Sequence, residues 1–202
     1  MKNGKINLKK KHVVIINGYP GSGKDTFVSC CNLFVNCGVH SSVNIVVQAL
    51  GTLGILETKE DKHTPEGRLA IAKTKRFLID EFDLPAKTTK ERIQEWYDYM
   101  EDPQVLFCMI REPSEIAKIV TYCNRARIDC RTLLILNDQA KAAIMEKTLE
   151  DCSKVPESDI EIAVGINYDY TISNNGPIWD LVGRAYFFLR NIENDDNGEE
   201  DA

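Results

Sequence analysis

The feature that most constrains this chain is the run Gly18-Tyr19-Pro20-Gly21-Ser22-Gly23-Lys24-Asp25-Thr26, set directly behind the β-branched stretch His12–Asn17. That stretch (HVVIIN) reads as a short buried strand that breaks at glycine. Beyond the run, Phe27, Cys31, Phe34 and Val35 follow helical spacing up to Cys37, with Gly38 as a stop. Gly18 to Lys24 therefore satisfies G-x-x-x-x-G-K between a strand and a helix, the setting in which this motif wraps phosphates. Its glycines let the backbone bend around an anion, and the freed N–H groups at the helix start face it. Lys24 adds a point charge suited to β- and γ-phosphates. The spacing predicts a nucleoside triphosphate site, with ATP as the ligand, built from Gly18, Pro20, Gly21, Ser22, Gly23, Lys24, Asp25 and Thr26. A ligand-free glycine turn is the competing reading, and the lysine, the spacing and the strand–helix context argue together against it.

Residue 25 departs from the general pattern, which places Ser or Thr after the lysine to bind magnesium. A carboxylate beside bound phosphates repels them unless a cation lies between. Asp25 is thus read as a Mg2+ contact, direct or through water. Its alternative is a first-turn acid that favours the helix dipole. The Thr26 hydroxyl is expected on the α-phosphate side.

The rest of the chain alternates strands and helices. Strands are expected at Val43–Val47, Val105–Ile110, Thr132–Leu136 and Tyr170–Ser173, besides the first. Helical patterns run from Gly67 to about Asp80 and from Pro113 to about Ala126, then over Asp138–Leu149 and onward from Pro177. Another begins at the capping-box sequence Thr88-Thr89-Lys90-Glu91, carries Ile93, Trp96, Tyr97 and Met100 on one face, and is closed by Pro103. Such alternation implies an α/β fold with a mostly parallel sheet covered on both faces, and 202 residues suit one domain.

Composition excludes several classes. No stretch is apolar and long enough to span a bilayer, and the basic start Met1–Lys11 is followed by no signal-peptide apolar region. Seven cysteines are an odd number with no CxxC pair. Several lie in apolar runs, which points to free thiols in a reducing, cytoplasmic setting. A net charge of −6 arises largely from the tail, because six of the 31 acids lie between Glu193 and Asp201. Residues 193–202 are accordingly expected to be a disordered acidic tail and residues 1–11 a solvated basic leader. No basic surface suited to nucleic acid is apparent, and the oligomeric state stays open.

With these residues in view, P-G-S-G-K-D-T resembles the adenylate kinase loop, and more closely the G-K-D-T loop of deoxynucleoside monophosphate kinases. The chain is similar to small adenylate kinase-like P-loop proteins in further motifs, in the same order. These are Gly67-Arg68 through Lys75, Arg111-Glu112-Pro113, Thr132-Leu133-Leu134-Ile135, and Tyr168-Asp169-Tyr170-Thr171-Ile172-Ser173-Asn174-Asn175-Gly176. The likeness covers most of residues 12–192. It implies a three-layer P-loop NTPase fold with an about five-stranded parallel sheet and helices on both faces. It also implies an acceptor-binding segment over about 50–100 and a lid over about 137–165.

By that resemblance, Arg68 and Lys75 would seat an acceptor, since a bidentate guanidinium suits a monophosphate. A solvated helix face is their competing reading. Arg111 would project from a strand's carboxyl end, where ligands bind in open α/β sheets, and Glu112 would hold magnesium or orient Arg111. Two departures stand out. The two arginines that usually follow T-L-L-I are replaced by Leu136-Asn137, leaving Arg125, Arg127, Arg131 or Lys141 as substitutes. Val46–Thr52 (VVQALGT) lacks the acid and lysine expected near an acceptor. Phosphoryl transfer needs mainly alignment and cations around the moving group. The implied activity is transfer of the γ-phosphate of Mg-ATP to a nucleoside or deoxynucleoside monophosphate. A nucleotide-binding regulatory module and an NTP hydrolase are the alternatives.

Overall fold

Val13, Val14, Ile15 and Ile16 are each fully buried, so the strand that carries them must be covered on both faces. The structure, a computed structural model, describes residues 6–56, 58, 61–102, 104–160, 162 and 166–198. Its elements are β1 (His12–Asn17), α1 (Lys24–Cys31), β2 (Cys37–Ser41), α2 (Asn44–Thr52), α3 (Pro65–Phe82) and α4 (Leu84–Tyr99), then β3 (Val105–Met109), α5 (Pro113–Ala126), β4 (Asp129–Leu136), α6 (Asp138–Asp151), α7 (Glu157–Ile160), β5 (Tyr170–Ser173) and α8 (Ile178–Gly198). The five strands form one parallel sheet in the order β2-β3-β1-β4-β5.

Phe27 of α1 and Leu181, Phe188 and Leu189 of α8 pack on one face, against Val14, Ile16, Leu133 and Ile135. Ile93 and Trp96 of α4 and Ile116 and Ile119 of α5 cover the other, against Val13, Ile15, Leu106 and Cys108. Continuous apolar runs are what strands buried on both faces require. Because every strand points the same way, Asn17, Ser41, Met109, Leu136 and Ser173 end on one edge. Among the described residues no helix is long and apolar enough to cross a membrane.

Four expectations need correction. The second strand is Cys37–Ser41, not Val43–Val47. The latter run opens α2, where Val46 and Leu50, four residues apart, bury one stripe near Ile71 and Leu78. The first helix stops at Cys31, where the chain turns and the Asn32 side chain accepts a bond from the Cys37 amide at 2.9 Å. The Thr88–Glu91 box caps nothing, because α4 begins four residues earlier. There, Asp83 takes a left-handed conformation (φ 49°), Pro85 occupies the first turn, and the Thr89 hydroxyl donates back to the Pro85 carbonyl.

The fourth concerns both termini. Helix α8 continues through Gly198, with Glu193 and Asp196 buried. Glu193 accepts from the Asn7 amide at 2.8 Å, and Asp196 and Asp129 flank the imidazole of His12 at 3.1 and 3.2 Å. Ile6 and Leu8 of the supposed solvated leader belong to the core. Helical spacing places Leu189, Ile192, Glu193 and Asp196 on one stripe, and that stripe finds partners at the start of the chain. Residues 1–5 of the expected leader, 57, 59 and 60 of the expected acceptor segment, Pro103, residues 161 and 163–165 of the expected lid, and residues 199–202 of the expected tail lie outside the described residues.

Candidate functional site

The phosphate loop leaves β1 at Asn17, whose Oδ1 accepts from the Gly18 amide at 2.7 Å and whose Nδ2 donates to the Tyr168 hydroxyl at 2.7 Å and the Arg111 carbonyl at 3.2 Å. Gly18 (φ 151°) and Gly23 (φ 92°) both require glycine. A Cβ on Gly18 would stand 2.5 Å from the Ile135 carbonyl, and one on Gly23 would collide with the Asn174 amide. That amide donates to the Ser22 carbonyl at 2.9 Å, so the end of β5 braces the loop from behind. Gly23 caps α1 with no side-chain bond, which leaves the first amides of the helix directed into the loop. Inside it the buried Ser22 hydroxyl has no partner among the described residues.

Lys24 folds back over the loop and donates to the carbonyls of Gly18 (2.6 Å) and Tyr19 (3.0 Å). Burial lowers its pKa from 10.5 to about 7; Arg111 and Arg68 push the same way, while Asp25 and Asp159 oppose them. The ammonium is thus held where it lacks counter-charge, as suits a group that meets a polyanion.

Beside the loop lies a cleft of about 490 Å³, on which Lys24, Asp25, Arg68, Lys75, Arg111 and Glu112 converge. Among the described residues five cationic side chains line it, Lys24, Lys62, Arg68, Lys75 and Arg111, against the three acids Asp25, Glu112 and Asp159, a balance that favours an anion. Arg68 stands in the first turn of α3, which is capped where the Thr64 hydroxyl accepts from the Gly67 amide at 3.1 Å. Lys75 is two turns further along the same face. Arg111 and Glu112 occupy the bend between β3 and α5, where Pro113 takes the first helical position.

The contacts within the cleft differ from those read from sequence. Lys75 is buried, not solvated, and donates to the Ser42 hydroxyl at 2.9 Å and to Glu112 Oε2 at 2.6 Å. Arg111 is oriented by Asp159 rather than by its neighbour Glu112: Arg111 Nη1 meets Asp159 Oδ1 at 2.5 Å, and Arg68 Nη2 bonds the other oxygen. Sequence reasoning missed Asp159, Asn174's brace and Lys62. Asp159 sits in the four-residue helix α7 with no motif around it, whereas Asn174 was visible within the Y-D-Y ending. Asp25 is exposed at the cleft, while Thr26, also exposed, is not among its lining residues. Nor are the proposed substitutes for the lid arginines: Arg125, Arg127 and Lys141 are exposed elsewhere, and Arg131 pairs with Asp129 and Asp195.

No protein-family model matches the sequence, and no curated protein does. Solved structures match along nearly the whole chain. The Mycobacterium tuberculosis APS kinase CysC, in complex with AMPPNP and APS, is 11% identical, covers 90% of this chain and 98% of its own, and superposes with a TM-score of 0.54. A gluconokinase from Sinorhizobium meliloti 1021 is 12% identical, with 96% and 98% covered and a TM-score of 0.50. At such identity the likeness is one of fold: a five-stranded parallel sheet with helices on both sides, shared with P-loop kinases at large and not with nucleoside monophosphate kinases in particular.

Proposed function

We propose that the protein is a phosphotransferase that moves the γ-phosphate of ATP to a nucleoside or deoxynucleoside monophosphate. The observation that carries this reading is the junction of the glycine loop with a cationic cleft. Lys24 of the loop lines that cleft together with Arg68 and Arg111. The loop amides and α1 would hold the β- and γ-phosphates. Lys24 would leave the Gly18 and Tyr19 carbonyls for phosphate oxygens, regaining the counter-charge that burial denies it. Arg111, at the carboxyl edge of the sheet, would neutralise the transferred group, and Arg68 would bind the acceptor's phosphate through its unused N–H groups. Lys75, committed to Glu112 and Ser42, would set the distance between α3 and the strand ends, not grip the acceptor. ATP as donor is in keeping with the AMPPNP of the APS kinase neighbour.

Magnesium, when bound with ATP, supplies positive charge between the phosphates. It usually takes one or two carboxylates and draws its remaining ligands from phosphate and water. The exposed Asp25 carboxylate on the cleft fits that demand. Glu112 fits less well, because Lys75 holds one of its oxygens. A cytoplasmic setting accords with seven cysteines that are all free. One observation favours a second reading, a nucleotide-binding module with little turnover: none of Arg125, Arg127, Arg131 and Lys141 lines the cleft.

The test is a panel of ribo- and deoxynucleoside monophosphates incubated with Mg-ATP and scored for ADP and phosphorylated product, with Lys24→Ala as control. Turnover with one acceptor, absent in the control, supports the proposal and names the substrate. ATP binding with no phosphorylated product from any of them refutes it in favour of the module, and ADP without acceptor points to hydrolysis.

A further inference from the structure

Among the described acids of the cleft, Asp159 alone has a side chain wholly shielded from solvent, and its two oxygens bond different arginines from different parts of the fold. Arg68 comes from α3, in the acceptor segment, and Arg111 from the end of β3. Asp159 itself comes from α7, in the lid segment. Both guanidiniums stay partly open to the cleft, with Arg68 27% and Arg111 38% exposed. The backbones beneath them are also fixed. The Arg111 carbonyl accepts from Asn17, and the turn before Arg68 admits no Cβ at Gly67, where one would strike the Asp61 carbonyl.

We infer that Asp159 is a positioning residue, which holds Arg68 and Arg111 side by side as one fork for the acceptor's anionic group and ties the lid segment to the acceptor segment; this rests on the phosphotransferase reading above. A carboxylate between two arginines has another interpretation, a plug that occupies the acceptor's place until displaced. Burial decides between them. A plug lies on the solvent side of the groups that it blocks, whereas Asp159 lies behind arginines that are themselves exposed. Each guanidinium has five N–H donors and gives Asp159 one, so the edges facing the cleft remain free. Held on one edge by a charged bond, such a side chain loses less rotamer freedom on meeting a second anion, so less of the binding energy goes into ordering it.

Asp159→Asn keeps the size and removes the charge, and the two interpretations then diverge in sign. With the full chain and the acceptor identified in the panel, a positioning role raises the acceptor KM about tenfold or more, with the KM for ATP changed less than about twofold. Asp159→Glu should recover part of the loss. A fall in acceptor KM would overturn the inference in favour of the plug, and unchanged KM values would overturn it outright. If Asp159→Asn does not fold, Asp159→Glu decides alone: an acceptor KM above that of the wild type supports the role, and an equal or lower one overturns it. If the wild type phosphorylates nothing, calorimetric titration of the ADP-loaded protein with inorganic phosphate reads the fork directly. Phosphate binding that weakens in Asp159→Asn then supports the fork although the phosphotransferase reading has failed, and binding that is absent or unaltered overturns both.

Discussion

Replacing Lys24 by Met should abolish nucleotide binding and yet leave the nucleotide-free protein as stable as before, or more so. The lysine is 9% exposed, and burial brings its pKa from 10.5 to about 7. At about 1.4 kcal/mol per tenfold change in proton affinity, holding the charged form in place costs the folded state roughly 5 kcal/mol. Methionine removes that cost but leaves the Gly18 and Tyr19 carbonyls without their donor, at about 1–3 kcal/mol each. The net change at pH 7 therefore lies between roughly neutral and about 3 kcal/mol of added stability. The folded pKa is depressed below the unfolded one, so the cost is fully present below about pH 7 and is relieved as pH rises toward 10.5. Across that window the unfolded chain holds more protons than the folded one, and wild-type stability must rise relative to Lys24→Met. Urea unfolding of both proteins at pH 6, 7, 8 and 9.5 measures the difference. A loss of more than about 2 kcal/mol in the variant at pH 7, or a gap that stays constant from pH 6 to 9.5, would show that Lys24 is not held against its own desolvation. In the wild type, ATP binding at pH 8 should take up a proton, visible as a calorimetric enthalpy that depends on the buffer.

Asn174→Ala cuts the bond that braces the Ser22 carbonyl and should weaken ATP affinity about tenfold with little change in melting temperature; unchanged affinity in a calorimetric titration would count against the brace. Ending the chain after Ile192 removes Glu193 and Asp196, leaving the Asn7 amide and one side of the buried His12 without their partners. Unfolding in urea should then register a loss of at least about 2 kcal/mol, where removal of a solvated tail would cost nothing.

The parts of this molecule that were legible in its sequence are those whose partners are near in the chain or whose burial leaves no choice. Strands β1 and β3 are apolar at nearly every position because both of their faces are covered, and Gly18 to Lys24 forms its loop from consecutive residues. Strand β2 escaped because it is an edge strand, half-exposed throughout and interrupted by Gly38 and His40, so the more apolar Val43–Val47 drew the assignment. The tail misled through composition. Counting acids suggests a solvated end, but Glu193 and Asp196 share the helical stripe of Leu189 and Ile192, and the partners that make their burial tolerable stand 186 and 184 residues away.

The site divides in the same way, and the division has a chemical consequence. Spacing and motif named Arg68, Lys75, Arg111 and Glu112, but nothing local reveals that Lys75 meets Glu112 across 37 residues, or that Asp159 meets Arg111 across 48 and Arg68 across 91. Those pairings decide which cations remain for a ligand. A buried ammonium bonded to a carboxylate and a hydroxyl has little left to offer an anion, so in the proposed function Lys75 would serve as a strut, not as a substrate contact. A guanidinium bonded on one edge keeps its other donors, so Arg68 and Arg111 lose nothing by being paired and gain a fixed direction. The same count of charges could have described a cleft whose cations were all neutralised by their neighbours. What would suit this one to the proposed phosphorylated acceptor is that Asp159, the fully shielded carboxylate among its described acids, is shared between two arginines that both stay partly exposed.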